Sequence, residues 1–362
     1  MSSDSDTTQD HCGHCDSSEQ ANSGAKRIDW IFWVSLSGSI ILYLFYWLLL
    51  GSVTPPEWLH TLSHSVFELI NTVWWGVAIG IVMIGVLGRI PREFVMSALG
   101  TNQGFKGILQ ATLAGVLLDL CNHGVSMVGA KLYERGASIG QVIAFLVSSP
   151  WNSFSLTLIL VALIGLPYTL GFILLSMIIA VITGVIFDFL VQRNILPDNP
   201  RQIDIPKGFR FWREARKSFS NTTFSSAYLG SMLIDGIKDS RMVVRWILFG
   251  VLLASLIRAF IPAEVFENFF GPTILGLGLT IVFATILEVC SEGSTPIAAD
   301  MLTRANAPGN SFAFLMGGVA TDYTEIVVLR DTTKSWKVAM FLPLITLPQV
   351  IALGWLINTF AV

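Results

Sequence analysis

The residues Asp119-Leu120-Cys121-Asn122-His123-Gly124 set an acid, a thiol, an amide and an imidazole inside an apolar run, with ILQATLAGVLL before them and VSMVGA after them. A thiolate and an imidazole two residues apart are ligand types for a borderline or soft cation. Buried polar groups of this kind cost free energy unless something satisfies them. A related set follows in LEVCSEGST, which carries Glu288, Cys290, Glu292, Gly293, Ser294 and Thr295. Cys290 lies 169 residues after Cys121, and at that offset residues 118–146 align with 287–315 without a gap. Nine of the 29 positions are identical: Leu118, Cys121, Gly124, Ala130, Arg135, Gly140, Ala144, Phe145 and Leu146 all recur. Asp119 meets Glu288 and His123 meets Glu292, so the chemistry is duplicated along with the sequence.

Pooled, Cys121, His123, Cys290 and Glu292 form a tetrahedral set suited to Zn²⁺, or through the two sulfurs a soft set suited to Cu⁺. Asp119 and Glu288 stand two residues upstream of the thiols, where acids in a low-dielectric site can take protons during exchange. Asn122, Gly124, Gly293, Ser294 and Thr295 complete the two polar breaks, with the glycines better explained by backbone geometry than by chemistry. At the same offset Ser148-Ser149-Pro150-Trp151-Asn152 meets Gly317-Gly318-Val319-Ala320-Thr321. Pro150 should break its helix, and Asn152, Thr321 and Asp322 are then expected to face the same cavity. Glu325 follows Asp322 by three residues and shares its helix face; alternatively the two acids pair with Arg330 or nearby lysines. A lone cysteine in an apolar helix is otherwise a small packing residue. Upstream, His11, Cys12, His14 and Cys15 in DHCGHCDSSEQ form a short Cys/His tract of the kind that collects a thiophilic metal. The Cys-Gly-His-Cys spacing also resembles a redox motif, but no βαβ pattern surrounds it. His60 and His64 lie one helical turn apart in PPEWLHTLSH, which reads as a short interfacial amphipathic segment.

These side chains need elements to hold them. The chain has 362 residues, of which 53% are hydrophobic and only 13% charged, and its mean hydropathy is +0.65. A soluble domain averages about a quarter charged residues, so the composition is that of an integral membrane protein. Eleven Trp and 24 Phe suit aromatic belts at the two interfaces. A net charge of −3 offers nothing to nucleic acid, and four cysteines divided between a polar tail and apolar segments are no disulfide framework. A bilayer crossing takes about 20 apolar residues. Full-length candidates are 28–50, 66–89, 140–165, 169–191, 242–261, 308–329 and 338–360, and the apolar segments 107–121 and 272–290 lead into the two polar breaks. The organisation that follows is a disordered cytoplasmic tail (1–27), an extra N-terminal helix (28–50), a first repeat (66–191), a hydrophilic cytoplasmic loop (192–241) and a second repeat (242–362). Lys26, Arg27, Arg89, Arg92 and the basic loop all fall on the inner side if each polar break is the tip of a re-entrant hairpin. Each repeat then makes three crossings, and the two copies are inverted. The expected fold is an all-α polytopic membrane protein with an inverted repeat and two re-entrant broken-helix hairpins, an arrangement used by secondary transporters. Nine full crossings is the alternative, and it puts the basic loop outside.

The recurring pattern Cys-x-x-Gly, followed by R-x-x-x-x-G-x-x-x-A-F-L in both halves, together with Gly293-Ser294-Thr295-Pro296-Ile297-Ala298-Ala299, resembles the ArsP-type predicted permease family. That family includes methylarsenite exporters and members assigned to copper and zinc efflux. The resemblance covers about residues 66–362 and implies a multi-pass permease of the bacterial inner membrane, N-terminus cytoplasmic, that exports thiol-seeking species. This chain departs from the family pattern. Where members often read Pro-Leu-Cys-Ser-Cys-Gly it has Asp119-Leu120-Cys121-Asn122-His123-Gly124, where they carry small residues it has Glu288 and Glu292, and where they read Ala-Thr-Asn it has Ala320-Thr321-Asp322. The departures add negative charge, which favours a cation over a neutral arsenical.

The sequence contains no P-loop pattern, so an ion or proton gradient is the expected drive. The expected function is gradient-driven efflux of zinc or copper by alternating access, with an organoarsenical exporter as the alternative and a membrane thiol oxidoreductase using Cys121 and Cys290 as the competitor from another class. An enzyme, a resident cofactor and a nucleic-acid partner are not expected. The expected partners are the bilayer, a small inorganic or organometalloid substrate, a cytosolic metal chaperone at the tail, and further copies of the chain.

Overall fold

The computed structural model describes residues 29–49, 55–87, 104–117, 122–134, 136–149, 154–200, 240–287 and 291–361, with a few positions between 230 and 238. The chain divides after Trp30, and the described structure lies almost wholly in Ile31–Val362. The tail residues His11, Cys12, His14 and Cys15 lie outside the described residues, as do Asp119, Cys121, Asn152, Glu288 and Cys290. Of Asn122, His123, Gly124 and Glu292 only the backbone is described.

All described regular structure is helical. The order is α1 (Trp30–Leu49), α2 (Glu57–Leu87), α3 (Phe105–Leu117), α4 (Asn122–Glu134), α5 (Ile139–Ser148), α6 (Phe154–Ile164), α7 (Leu166–Gln192), α8 (Arg241–Phe260), α9 (Ala263–Phe270), α10 (Ile274–Leu287), α11 (Ser291–Thr303), α12 (Pro308–Thr321), α13 (Tyr323–Thr333) and α14 (Trp336–Ala361). Among the described residues, four stretches are long and apolar enough to cross a membrane: Trp30–Leu48, Leu166–Gln192, Pro308–Thr333 and Trp336–Phe360. Val244–Phe260 joins Ala263–Phe270 at a bend of 110°, so the expected span at 242–261 turns sharply where it ends at Pro262. The expected single span at 140–165 is two helices, α5 and α6, separated by the segment that contains Pro150. A proline there removes a backbone donor and clashes with the preceding turn. The histidine segment PPEWLHTLSH is no separate element; it forms the opening turns of α2, a helix of 31 residues.

The duplication extends well beyond the 29 aligned positions. Helices α4 and α11 begin and end at positions 169 apart (122 and 291, 134 and 303), as do α6 and α13 (154 and 323, 164 and 333). One additional residue separates α13 from α14, after which the register becomes 170: Gly184 corresponds to Gly354 and Asp188 to Asn358. Packing repeats in the same way. Helix α5 lies against α3, α4 and α7, and α12 lies against α10, α11 and α14. Every residue of α5 is buried, as is every residue of α12 from Pro308 to Ala320. These two helices are buried on every side and form the interior, their polar residues Gln141, Ser148, Asn310 and Ser311 included. The lipid side is equally plain: Leu170, Leu174, Ile178, Ile182, Val185 and Phe189 are exposed along α7, and Met340, Leu344, Ile351 and Trp355 along α14. A soluble protein would not leave such stripes in water.

The ends of α5 and α12 show why the copies share one shape. Gly140 comes so close to the Gly184 carbonyl that a Cβ would sit 2.3 Å from it, and Gly309 meets Gly354 with only 1.8 Å to spare for the same atom. In both places the donor freed at the helix start is taken by the long helix beside it. Gly140 donates to Asp188 Oδ1 (2.9 Å), and Gly309 donates to Asn358 Oδ1 (2.7 Å). Orphan N–H groups of a buried helix N-terminus require such partners. Ser138 adds a capping box with Gln141 at the start of α5.

Candidate functional site

Two helix starts carry the residues singled out above. Helix α4 opens with Asn122-His123-Gly124 directly after Cys121, and α11 opens with Ser291-Glu292-Gly293 directly after Cys290. The first turn of a helix presents unpaired N–H groups and the positive end of its dipole. In sequence, each cysteine directly precedes a helix start, at matching positions 169 apart.

The two helix starts were expected to pool their ligands. Among the described residues α4 and α11 do not pack along one another. Each instead crosses to the second broken helix of the other repeat: α4 lies against α13, and α11 lies against α6. By element, Asn122, His123 and Gly124 are therefore grouped with α13, which carries Glu325 and is capped by Asp322, while Gly293, Ser294 and Thr295 are grouped with α6, the helix that follows Asn152. The arms of each polar break, α3 with α4 and α10 with α11, do not run side by side either; both arms pack on the helix that follows, α5 or α12.

The described side chains divide by role. Gly293 serves packing: a Cβ on Gly250 would lie 2.3 Å from the Gly293 carbonyl oxygen, so α8 and α11 cross backbone to backbone there. Ser294 and Thr295 are buried in the next half-turn. The Thr321 hydroxyl donates to the Gly317 carbonyl at 2.9 Å. Asp322 ends α12 and caps α13, its Oδ1 accepting from the Thr324 N–H and hydroxyl, both at 2.7 Å. This cap breaks a 26-residue span within its length. Glu325, one turn into α13, is 1% exposed. Arg330, at the other end of α13, pairs with its exposed neighbour Asp331.

The sequence reading missed one charged cluster. Asp300 in α11 is 1% exposed and accepts two hydrogen bonds on Oδ1 from Arg258 of α8, at 2.6 Å from Nη2 and 2.9 Å from Nε. Arg258 also donates through Nη1 to Glu68 of α2 (2.9 Å). Arg304 Nη1 stands 3.6 Å from Asp300 Oδ2, its Nη2 donates to the Ile261 carbonyl at 2.9 Å, and its guanidinium lies over the Phe266 ring. One carboxylate thereby ties α11 to α8, α2 and the bend before α9. The signal was present in the sequence, since Arg258 and Asp300 are lone charges in apolar runs and a charge in a membrane segment needs a partner. Next to this cluster, a cleft of about 470 Å³ is lined by Glu57, Trp58, Thr61, Arg258, Phe260 and Pro262.

Among the described residues no three His, Cys, Asp or Glu side chains gather as a metal site requires. The four expected ligands have no described side chains. His60 and His64 stack with ring centroids 6.1 Å apart, and Tyr46 meets both edge-on. That is aromatic packing between α1 and α2.

Long apolar spans, lipid-facing stripes and a duplicated unit whose helices break inside the bundle define a multi-pass α-helical membrane protein with the build of a transporter. The chain belongs to the ArsP_1 family of predicted permeases, whose model matches residues 59–359. It is similar to the UPF0718 protein YcgR of Bacillus subtilis, 22% identical over 286 residues that cover 77% of this chain and 90% of the relative. It is also similar to Rv2963 of Mycobacterium tuberculosis, which carries a permease name (20% identical; 71% of this chain, 65% of the relative). A third relative is the UPF0718 protein MJ0584 of Methanocaldococcus jannaschii (19% identical; 73% of this chain, 85% of the relative). No solved structure matches.

Proposed function

We propose that this permease exports a soft metal ion, zinc or copper, across the bacterial inner membrane by gradient-driven alternating access, with its N-terminus in the cytoplasm and its two repeats inverted. One observation carries the reading: a thiol stands directly before the matching helix of each repeat, Cys121 before α4 and Cys290 before α11, and each of these helices crosses to the opposite repeat. A cation held between the repeats through Cys121, His123, Cys290 and Glu292 is bound by elements that can move apart, as release requires. Asp119 and Glu288, two residues upstream of the thiols, exchange protons as the ion enters and leaves. Weak, open ligation suits a carrier better than the closed four-ligand cage of a structural zinc site. The tail ligands His11, Cys12, His14 and Cys15 would receive the ion from a cytosolic donor.

Everted membrane vesicles supply the test. Given Zn²⁺, Cu⁺ and methylarsenite in turn, vesicles with the wild-type protein should accumulate the first or second, and Cys121→Ser and Cys290→Ser should each abolish uptake. Uptake of methylarsenite alone moves the substrate to organoarsenicals. Serine variants that transport as well as wild type remove the thiols from the site.

A further inference from the structure

The cleft beside Arg258 has a chemistry that the permease reading does not use. It opens where α2 begins and α8 ends, two helices that pack on each other, and it is lined by Glu57, Trp58 and Thr61 from the first and by Arg258 and Phe260 from the second. Its rim is aromatic. The Trp58 and Phe260 rings stack with centroids 6.0 Å apart, and both side chains are exposed, at 46% and 62%. Exposed aromatic side chains at the ends of membrane helices stand at headgroup level. Leu256, one turn before Phe260 and also exposed, continues the apolar surface toward the hydrocarbon. At the base, the Arg258 side chain is 16% exposed. A guanidinium carries five N–H groups. Asp300 takes the Nε donor and one on Nη2, and Glu68 takes one on Nη1, so two remain for an incoming anion. At the mouth, Glu57 is exposed. The Thr61 hydroxyl donates to the Glu57 backbone carbonyl at 3.0 Å, which keeps its lone pairs for a donor.

We infer that this cleft binds the headgroup of a zwitterionic aminophospholipid, its phosphate on Arg258 and its ammonium between Glu57 and the Trp58 ring. The charges select that class. Arg258 and Arg304 balance Asp300 and Glu68, so Glu57 leaves the site with one net negative charge. An anionic headgroup meets that charge with no cation to offset it, whereas an ethanolamine headgroup brings its own. An ammonium is attracted to the face of a tryptophan, and a phosphate accepts paired N–H groups from an arginine. Location favours a lipid over a free solute. The cleft lies at the ends of two helices of a membrane bundle, and the exposed side chains of Phe260 and Leu256 offer an acyl chain an apolar surface beside it. Bound there, the headgroup joins α2 to α8 next to the buried Asp300–Arg258 pair. The inference rests on the membrane fold and on no particular transported species.

The test titrates the detergent-solubilised full chain with phosphatidylethanolamine, with phosphatidylglycerol and with soluble phosphoethanolamine, and counts bound lipid by native mass spectrometry. The wild-type protein should bind its first phosphatidylethanolamine more tightly than its first phosphatidylglycerol, and phosphoethanolamine at the same concentration should not displace the lipid. Glu57→Gln and Trp58→Leu should each weaken that first phosphatidylethanolamine about two- to fivefold, and Glu57→Gln should also narrow the gap to phosphatidylglycerol. Both positions are exposed, so the two variants should unfold at the wild-type temperature. Glu267→Gln removes an exposed acid outside the cleft and should bind as wild type does. Equal binding of the two lipids by the wild-type protein overturns the inference. So does a phosphatidylethanolamine affinity that is unchanged in both cleft variants, or that falls as far in Glu267→Gln. Displacement by an equal concentration of phosphoethanolamine overturns the lipid as the occupant.

Discussion

Lys131 and Asp300 occupy one position of the duplicated unit and are treated in opposite ways. Lys131 is exposed and pairs with Glu134 on its own helix, whereas Asp300 is sealed and pairs with Arg258 on another. An exposed pair contributes about 0–1 kcal/mol, so loss of Lys131 should leave thermal unfolding of the detergent-solubilised protein nearly unchanged. Removing one member of a buried pair strands the other, at about 3–5 kcal/mol. Asp300→Asn or Arg258→Leu should therefore lower the unfolding temperature sharply, and the double change Asp300→Leu with Arg258→Leu should cost less than the two singles added together. Additive losses would show that the pair is not coupled. The partners were not legible in the sequence, although the charges were. Arg258 and Asp300 stand 42 positions apart and Glu68 a further 190 from Arg258, and no local pattern links such distances. Asp322 was legible as a polar residue inside a span, but its work as a cap depends on a chain break that sequence periodicity does not reveal.

Helices were read most reliably where the duplication confirmed them. The aligned motif placed Gly140 beside Gly309 and Cys121 beside Cys290, and the helix bounds follow that register. The apolar run 140–165 is described as two helices, one ending at Ser148 and one beginning at Phe154, on either side of the Pro150 that was expected to break it. The crossings of α5 with α7 and of α12 with α14 make a sharper claim. Gly140→Ala and Gly309→Ala would each press a methyl into a carbonyl oxygen of the neighbouring helix, at 2.3 Å and 1.8 Å. Both should destabilise the protein by about 1–3 kcal/mol as the helices are forced apart. Gly171 on α7 is the control: a Cβ there would meet nothing within 4 Å, so Gly171→Ala should be neutral or gain up to about 1 kcal/mol from helix propensity. If Gly309→Ala melts with Gly171→Ala, the close crossing of α12 and α14 does not hold the bundle together.

At the scale of the whole molecule, the orientation of the two repeats sets how access can alternate. Two copies of one fold inserted in the same sense would open toward the same side together, whereas copies inserted in opposite senses exchange roles, each serving as the other's gate. The cross-repeat contacts are reciprocal, α4 meeting α13 as α11 meets α6, which a parallel and an inverted pair of repeats both produce, so insertion has to be measured directly. Phe105 at the start of α3 and Ile274 at the start of α10 are matching positions 169 apart, both exposed, at 61% and 72%. In a chain whose four cysteines are replaced by serine, Phe105→Cys and Ile274→Cys should react with a membrane-impermeant maleimide from opposite sides. Intact spheroplasts should label one variant and everted vesicles the other. Because both positions belong to the same place in the repeat, differences in local burial cannot produce that pattern; only opposed insertion can. Labelling of both from one side would fix the repeats as parallel, and a gate built from their exchange of roles would have no geometric basis.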